Sequence, residues 1–298
     1  MTLLQFQVFV TVTETKSFTK AGEQLGLTQS AVSQAISSLE SALGVTLLHR
    51  SRSGITPTQI GERMLLHVRE VLRRTMLMKQ EASASLGLES GTLRIGAIPA
   101  MAAKLLPGIL GGFKSRFPGI ELILLEGSRN EVAEWVLHSV VDVGLLPLPI
   151  DGLPLHSLPL VEDRFHVYLP PGHALEREQA LRPEQLNGEP FLLSKGSCDA
   201  PVRTLFAARG LTLNVQFEVR DPATILAMVQ EGLGITVLPE LCIPASLPDV
   251  TALPLAPEAT RTLGLAVRCL QTVSPAAAGL INLAQAYVRQ QCPGCVAV

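Results

Sequence analysis

The sequence predicts an α/β protein in three parts, on three observations. Short apolar-patterned segments broken by single glycines open the chain. A proline-free stretch then runs from residue 58 to about 85, and β-prone runs alternate with helical ones over the rest. These divide the chain into 1–58, a long helix over 59–89, and an α/β region over 90–298.

Leu3, Leu4, Phe6, Val8, Phe9 and Val12 give the first segment an apolar stripe at helical spacing. Ser17 is placed to cap a second helix over 18–25, which Gly26 ends. Thr28 caps a third, in which Val32, Ile36, Leu39 and Leu43 fall on one inward face. After Gly44, "VTLLHRSRSGITPTQIG" holds two β-prone runs around a Ser-Arg-Ser-Gly turn, the pattern of a small wing. In the long helix, Met64, Val68, Val71, Thr75, Met78 and Ala82 recur at spacings of four and three, with Arg69, Arg73, Arg74 and Lys79 off the seam. Such a stripe must be buried. Its own copy in a dimer is the simplest partner, which places Met64, Val68, Val71 and Met78 at a dimer seam; the alternative is a core helix of one domain.

Beyond residue 90, "TLRIGAIP", "IELILLEG", "DVGLLPL", "HVYLPPG", "GITVLPE" and "LGLAVRC" read as strands. Helical segments over 103–116, 129–140, 201–209 and 222–231 fall between them, which argues for parallel βαβ sheets. Residues 162–266 read as a second sheet inserted into the first. This gives subdomain I (90–161 and 267–298) and subdomain II (162–266), with Ser274-Pro275 opening the last helix.

Composition fits a folded protein of two or three domains: 298 residues, 47% hydrophobic and 17% charged. "MTLLQFQVFVTV" has no basic start and no small-residue cleavage site. The charge-free run 269–288 is interrupted by Ser-Pro, Gly, Asn and Gln, so it reads as a packed helix and not a membrane span. A cytoplasmic chain without a membrane partner is expected. Five scattered cysteines (198, 242, 269, 292, 295) argue against a disulfide framework, and Cys292-Pro-Gly-Cys295 lacks the second pair of a zinc site. The net charge of −2 hides an asymmetry. Residues 1–90 carry nine Lys/Arg against seven Asp/Glu, leaving −4 on the remainder, a mild sign of nucleic acid.

The third helix gives its outward side to Gln29, Ser30, Ser33, Gln34 and Ser37, neither charged nor apolar. An α-helix fits the DNA major groove, where Gln bonds adenine in bidentate fashion and Ser and Gln reach phosphates. A polar, short-chained helix face after a tight turn and another helix is what base reading requires, and Arg50 and Arg52 on the wing can neutralise phosphates. The competing reading is a plain solvated face.

The stretch "SFTKAGEQLGLTQSAVSQAISSLESALGVTLLHRSRSGITPTQIG" resembles the winged helix-turn-helix of LysR-type transcriptional regulators. It carries the framework SxxxAxxxLxxxQxxxSxxIxxLExxLGxxLxxR and the "TPTQIG" that starts the linker helix. Gln34 and Ala35 stand where the family often has a basic residue and Gln, and Leu48-His49 replaces the usual Phe-x. The resemblance spans the chain. It implies an N-terminal winged helix-turn-helix, a linker and dimerisation helix, and a two-subdomain effector domain resembling a periplasmic binding protein. It also implies double-stranded promoter DNA, a small-molecule effector in the cleft, and a homo-oligomer, dimer or tetramer, as partners. A small-molecule co-inducer is expected and no cofactor or metal.

Ligands in open α/β sheets bind at strand C-termini near helix N-termini. Three loops qualify: "AIPAMAA" (97–103), "LLPLP" (145–149) and "LSKGSCDAP" (193–201). They nominate Ala100, Met101, Pro147, Ser194, Lys195, Ser197 and Cys198 as effector-binding residues. Lys195 with the hydroxyls and amides beside it suits an anion, and Met101 an apolar or aromatic tail. The plain alternative for the third loop is a helix cap.

An enzyme is the rival class. The sequence holds no HExxH and no GxSxG, and the GxG at 232–234 precedes a strand, the wrong order for a dinucleotide fingerprint. HxxE occurs at His67/Glu70 and His173/Glu176 and reads as solvated pairs; His138, His156 and His166 share no ligand spacing. No catalytic residue is expected. The alternative mode of sensing is thiol-based, through Cys198 at a helix start three residues after Lys195, a position resembling the reactive cysteine of peroxide-sensing family members. Those members carry a resolving cysteine shortly downstream. Here the next is Cys242, which nothing in the sequence brings near, so small-molecule sensing is the preferred expectation.

Overall fold

The computed structural model describes residues 1–51, 54–85, 90–196, 198–243 and 249–291. Helices α1 (Leu3–Thr15), α2 (Phe18–Leu25) and α3 (Gln29–Leu43) enclose a core of Val8, Phe9, Val12, Ala21, Val32, Ile36 and Leu39. Leu3 and Leu4 are exposed, so the apolar stripe of α1 begins a turn later than its sequence implies. The caps fall where expected: Lys20 N donates to Ser17 Oγ, Ala31 N donates to Thr28 Oγ1, and Gly26 ends α2 in the left-handed region. The turn between α2 and α3 closes tightly, since a Cβ on Gly22 would lie 2.6 Å from the Leu27 carbonyl oxygen.

The wing is β1 (Leu48–Ser51) paired antiparallel with β2 (Gly54–Pro57). Glu40, at the far end of α3, accepts from the amides of Leu47 (2.7 Å) and Leu48 (3.2 Å) and so fixes the wing to that helix. Helix α4 (Gln59–Ser85) starts behind Thr58, whose Oγ1 accepts from Gly61 N and donates to the Thr46 carbonyl.

The remaining region has strands β3 (Gly91–Ala97), β4 (Ile120–Glu126), β5 (Val143–Pro147), β6 (His156–Leu169), β7 (Pro190–Ser194), β8 (Asn214–Val219), β9 (Thr236–Pro239), β10 (Thr251–Pro254) and β11 (Thr260–Val267). Its helices are α5 (Pro99–Lys104), α6 (Leu106–Arg116), α7 (Arg129–Leu137), α8 (Asp199–Ala207), α9 (Pro222–Gln230) and α10 (Pro275–Gln291). The segment expected as one helix over 103–116 is two helices. Each carries a proline in its first turn, Pro99 and Pro107, where a missing N–H costs nothing and a fresh start is favoured.

Parallel pairing holds for β3 with β4 and β5, and for β7 with β8. The sheet is nevertheless mixed, because β11 runs antiparallel to both β5 and β6, and β6 antiparallel to β9 and β10. Strands β6 and β11 therefore pass through both halves of the region, and the expected border at 161/162 falls inside β6. One core lies around Leu93, Ile95, Phe113, Val143, Leu265 and Leu280, and another around Val167, Phe191, Val202 and Phe206.

The linker helix is tied to the α/β region by a charged cluster. Glu70 on α4 bonds Arg73 and Arg74 of its own helix and Arg268, which follows β11; Ser139 lies in the same cluster. The solvated His67/Glu70 pair expected from sequence is thus replaced by three arginines around one carboxylate. Hydrogen bonding from Arg73 first, then the charges of Arg73 and Arg268, hold the Glu70 carboxyl at about 2 against its ordinary 4.5, with partial burial opposing. A depressed carboxyl contributes its stability above the unfolded value and loses it as pH falls toward the folded one. Glu70→Gln is expected to lower thermal stability at pH 6 by about 1 kcal/mol after solvent screening. The difference from wild type should shrink as pH falls from 4.5 toward 2, followed by melting at stepped pH. A difference unchanged at pH 2.5 would contradict this.

Candidate functional site

Burial of Val32, Ile36 and Leu39, each without exposed surface, fixes how α3 is rotated. Gln29, Ser30, Gln34 and Ser37 are consequently exposed and Ser33 is half-buried. Thr28 Oγ1 and Ser30 Oγ lie 3.0 Å apart, so the first turn of α3 presents its hydroxyls as a pair. Arg50 on β1 is exposed with its guanidinium 4.5 Å from the Phe18 ring centroid, which keeps a cation beside the start of α2. Arg52 lies outside the described residues. This helix face and the wing make a polar, partly cationic surface with groups that bond bases and phosphates.

The expected dimer stripe of α4 is split. Val68 is 5% exposed and Met64 packs against the same N-terminal core, because α1 lies along this part of α4. Those two positions serve the chain's own core. Val71 (41%) and Met78 (70%) remain exposed, together with Leu66 and Met76.

The three candidate loops lie at the ends of β3, β5 and β7. Ala100 and Met101 sit in α5; the Met101 side chain is fully buried in the core of the first half and offers no exposed surface, which corrects its expected role against a ligand tail. Pro147, closing β5, is buried too. Ser194 ends β7 with its side chain nearly buried, while Lys195 is exposed and its Nζ lies 3.5 Å from Glu218 Oε2. Glu218 also pairs with Arg203 at 2.7 Å, and Gly196 N donates to Asp199 Oδ1. Lys195 thus already has a carboxylate beside it, from β8, and the Gly196 amide has one from α8. Ser197 lies outside the described residues. Between the halves, Lys104 Nζ donates to the Glu240 carbonyl at 2.7 Å, and the next residue, Leu241, packs against the core of the first half.

Cys198, at the N-terminal boundary of α8, is fully buried, and here the structure overturns an expectation. Cys242, in the short 3-10 turn Glu240–Cys242 after β9, places its sulfur 3.8 Å from that of Cys198. Arg261 on β11 reaches both, with Nη1 3.4 Å from Cys198 Sγ and Nη2 3.4 Å from Cys242 Sγ. The same guanidinium pairs with Asp163 on β6, its register partner, through Nε at 2.9 Å. Asp163 Oδ1 accepts from Leu241 N. The hydrogen bond with Cys198, followed by burial, raises the Cys242 thiol well above its ordinary value, so Cys242 holds its proton beside Cys198. Sequence reasoning missed Asp163 and Arg261. Both lie just before the β-prone runs at 166–172 and 263–269, and only the longer extent of β6 and β11 brings them inside strands, where charge is costly unless paired.

The comparisons with known proteins agree on the family. Residues 3–62 match the bacterial regulatory helix-turn-helix protein, lysR family, and residues 86–289 match the LysR substrate binding domain. The uncharacterised HTH-type transcriptional regulator YvbU of Bacillus subtilis (strain 168) is 38% identical over 288 residues, 96% of this chain and 98% of that protein. A full-length OxyR variant from Pseudomonas aeruginosa superposes with a TM-score of 0.80 at 24% identity, over 97% of this chain and 95% of that one. Full-length CbnR in complex with its target DNA does so with a TM-score of 0.66 at 19% identity, over 96% and 100%. Among the described residues no helix is long and apolar enough to cross a membrane. With its helix-turn-helix and its effector domain both matched over their length, the chain belongs to the LysR family of transcriptional regulators and is a DNA-binding regulator, not an enzyme.

Proposed function

We propose that this regulator is ligand-responsive: a small molecule held between the two halves of the effector domain changes how the protein engages promoter DNA. The observation that carries the reading is the connection between the halves. They share β6 and β11 and meet again where α5 faces the turn after β9, through the bond from Lys104 to the Glu240 carbonyl and the packing of Leu241 on the core of the first half. A ligand that bridges the gap shifts the balance between arrangements by its difference in affinity for them. The loop 194–199, at the C-terminal end of β7 and the start of α8, is the proposed anchor, with Ser194 and Lys195 as its described polar groups. Because Glu218 and Asp199 already face Lys195 and the Gly196 amide, a small molecule carrying both an anionic group and a hydrogen-bond donor suits the loop better than a bare anion.

A screen of the full-length chain against small carboxylates, amino acids and aromatics tests this, since a ligand that binds only the folded form raises its melting temperature. A hit is expected to change affinity for promoter DNA and to shift melting less in Lys195→Ala than in wild type. A ligand that raises melting and alters DNA binding equally in both would move the site elsewhere.

DNA is engaged through α3, whose exposed polar face fits the major groove, and the protein acts as a dimer or a tetramer. The exposed Val71, Met76 and Met78 of α4 are the part of the stripe offered to a second copy. Gln29→Ala and Ser33→Ala are each expected to relax base preference by roughly 1–3 kcal/mol where the residue bonds a base. Arg50→Ala is expected to weaken binding to every sequence and flatten the salt dependence. Binding titrations against specific and scrambled duplexes read both effects. Unchanged sequence preference in both α3 variants would rule out this recognition face.

A second reading, thiol-based sensing through Cys198, is favoured by one observation, the Cys242 sulfur 3.8 Å away.

A further inference from the structure

We propose that Cys198 and Cys242 form an oxidant-sensitive dithiol, clasped by Arg261, whose closure to a disulfide resets the joint between the two halves of the effector domain. The inference rests on the thiol reading of Cys198 and is independent of any small-molecule effector. The two cysteines are 44 positions apart in sequence, on α8 and on the turn after β9, yet their sulfurs are in contact. A disulfide needs its sulfurs about 2.05 Å apart, so they must close by under 2 Å.

Two features favour a thiolate at Cys198. The Arg261 guanidinium lies 3.4 Å from both sulfurs and so favours a thiolate on one of them, and of the two only Cys198 stands at the N-terminal boundary of a nine-residue helix, where the aligned peptide dipoles favour negative charge. Cys242, which keeps its proton, is suited to the second step. Cys198 has no exposed surface, so the oxidant is a small hydroperoxide. The thiolate attacks one peroxide oxygen; an S–O bond forms, the O–O bond breaks, and the leaving alkoxide or hydroxide takes up a proton from solvent. The Cys242 sulfur then attacks Cys198 sulfur, an S–S bond forms, the S–O bond breaks, and hydroxide leaves with the Cys242 proton as water. Two electrons pass from the thiols to the peroxide, giving one disulfide, one alcohol or water, and one further water.

The consequence follows from what surrounds the pair. Arg261 and Asp163 lie on β11 and β6, the two strands shared by both halves, and bond each other across them. The turn that carries Cys242 is held by Asp163 through the Leu241 amide and is gripped from the other half by Lys104 at Glu240. Joining the sulfurs draws that turn toward α8 and removes the thiolate from Arg261, leaving the buried guanidinium with Asp163 as its anionic partner. Strain placed there acts on the joint itself.

The test uses the full-length protein and hydrogen peroxide as the probe. Peptide mapping of oxidised wild type is expected to recover a Cys198–Cys242 linked peptide. Promoter affinity should change several-fold, with a shift in small-angle scattering, and dithiothreitol should reverse both. Cys242→Ser should abolish these changes while keeping wild-type DNA binding when reduced. That variant retains Cys198, Cys269, Cys292 and Cys295, so a shift persisting in it would show that the effect needs no Cys198–Cys242 bond and overturn the proposal. Sulfenic acid trapped on Cys198 in wild type without the linked peptide would overturn the dithiol and leave the thiol reading standing. A linked peptide with unchanged DNA affinity and scattering would overturn its action on the joint. Neither cysteine oxidised while Cys269 is would overturn both.

Discussion

The effector domain depends on one buried ion pair. Asp163 and Arg261 face each other from β6 and β11, with side chains 0% and 5% exposed, and these are the strands that belong to both halves. Burial raises the Asp163 carboxyl in spite of Arg261; burial also works against the charge on Arg261, but the neighbouring charges of Cys198 and Asp163 help to outweigh it and the guanidinium is raised. The two tendencies oppose each other for Asp163. The geometry decides in favour of the charged pair: Asp163 takes a guanidinium on one oxygen and the Leu241 amide on the other, so both carboxylate oxygens are satisfied. A pair of this kind adds little net stability over an apolar one, but losing a single partner leaves a buried charge at a cost of about 3–5 kcal/mol. Its value lies in register and in what it gathers: two thiols, the turn 240–242 and, through that turn, Lys104 of the opposite half.

In the N-terminal part the governing constraint is rotational. Three apolar side chains of α3 sit in the core, and Glu40 holds the wing to the end of the same helix. The outward residues inherit their direction from that packing. In the proposed DNA-reading role, short uncharged side chains are useful there, because they can approach base edges without the long-range repulsion or attraction that charge brings. The link from this part to the effector domain runs through α4, where Glu70 joins the linker helix to Arg268, one residue beyond β11. Strand β11 thus carries Arg261 near its start and leads directly to Arg268 beyond its end.

Local chemistry made much of this legible in sequence. The caps at Ser17 and Thr28, the glycine stop at Gly26 and the inward row of α3 are each decided within a few residues, and they stand where expected. The three-part architecture and the family were readable for the same reason. What was not readable depends on tertiary partners. The stripe of α4 gave no sign that Met64 and Val68 would be taken by the chain's own core, because α1 covers them from a distance in sequence. Strands β7, β8 and β10 escaped notice: β8 is a largely exposed strand of mixed polarity, and β7 begins at a proline. Cys242 was discounted for its separation from Cys198, yet β9 returns the chain beside β6 and brings its following turn onto α8. Sequence distance was the wrong measure there. Among the nominated effector residues, Met101 and Pro147 have the residue types of a pocket but the burial of a core.

The account makes one structural commitment above the others: two copies of α3, held by one dimer, read DNA from the major groove. Footprinting of the full-length protein on its promoter with a reagent for guanine N7 tests it most directly. Two protected patches in the major groove are predicted, on one face of the duplex and separated by about 10 base pairs or a multiple of that. Protection confined to the minor groove, or a single patch that remains single at saturating protein, would contradict it.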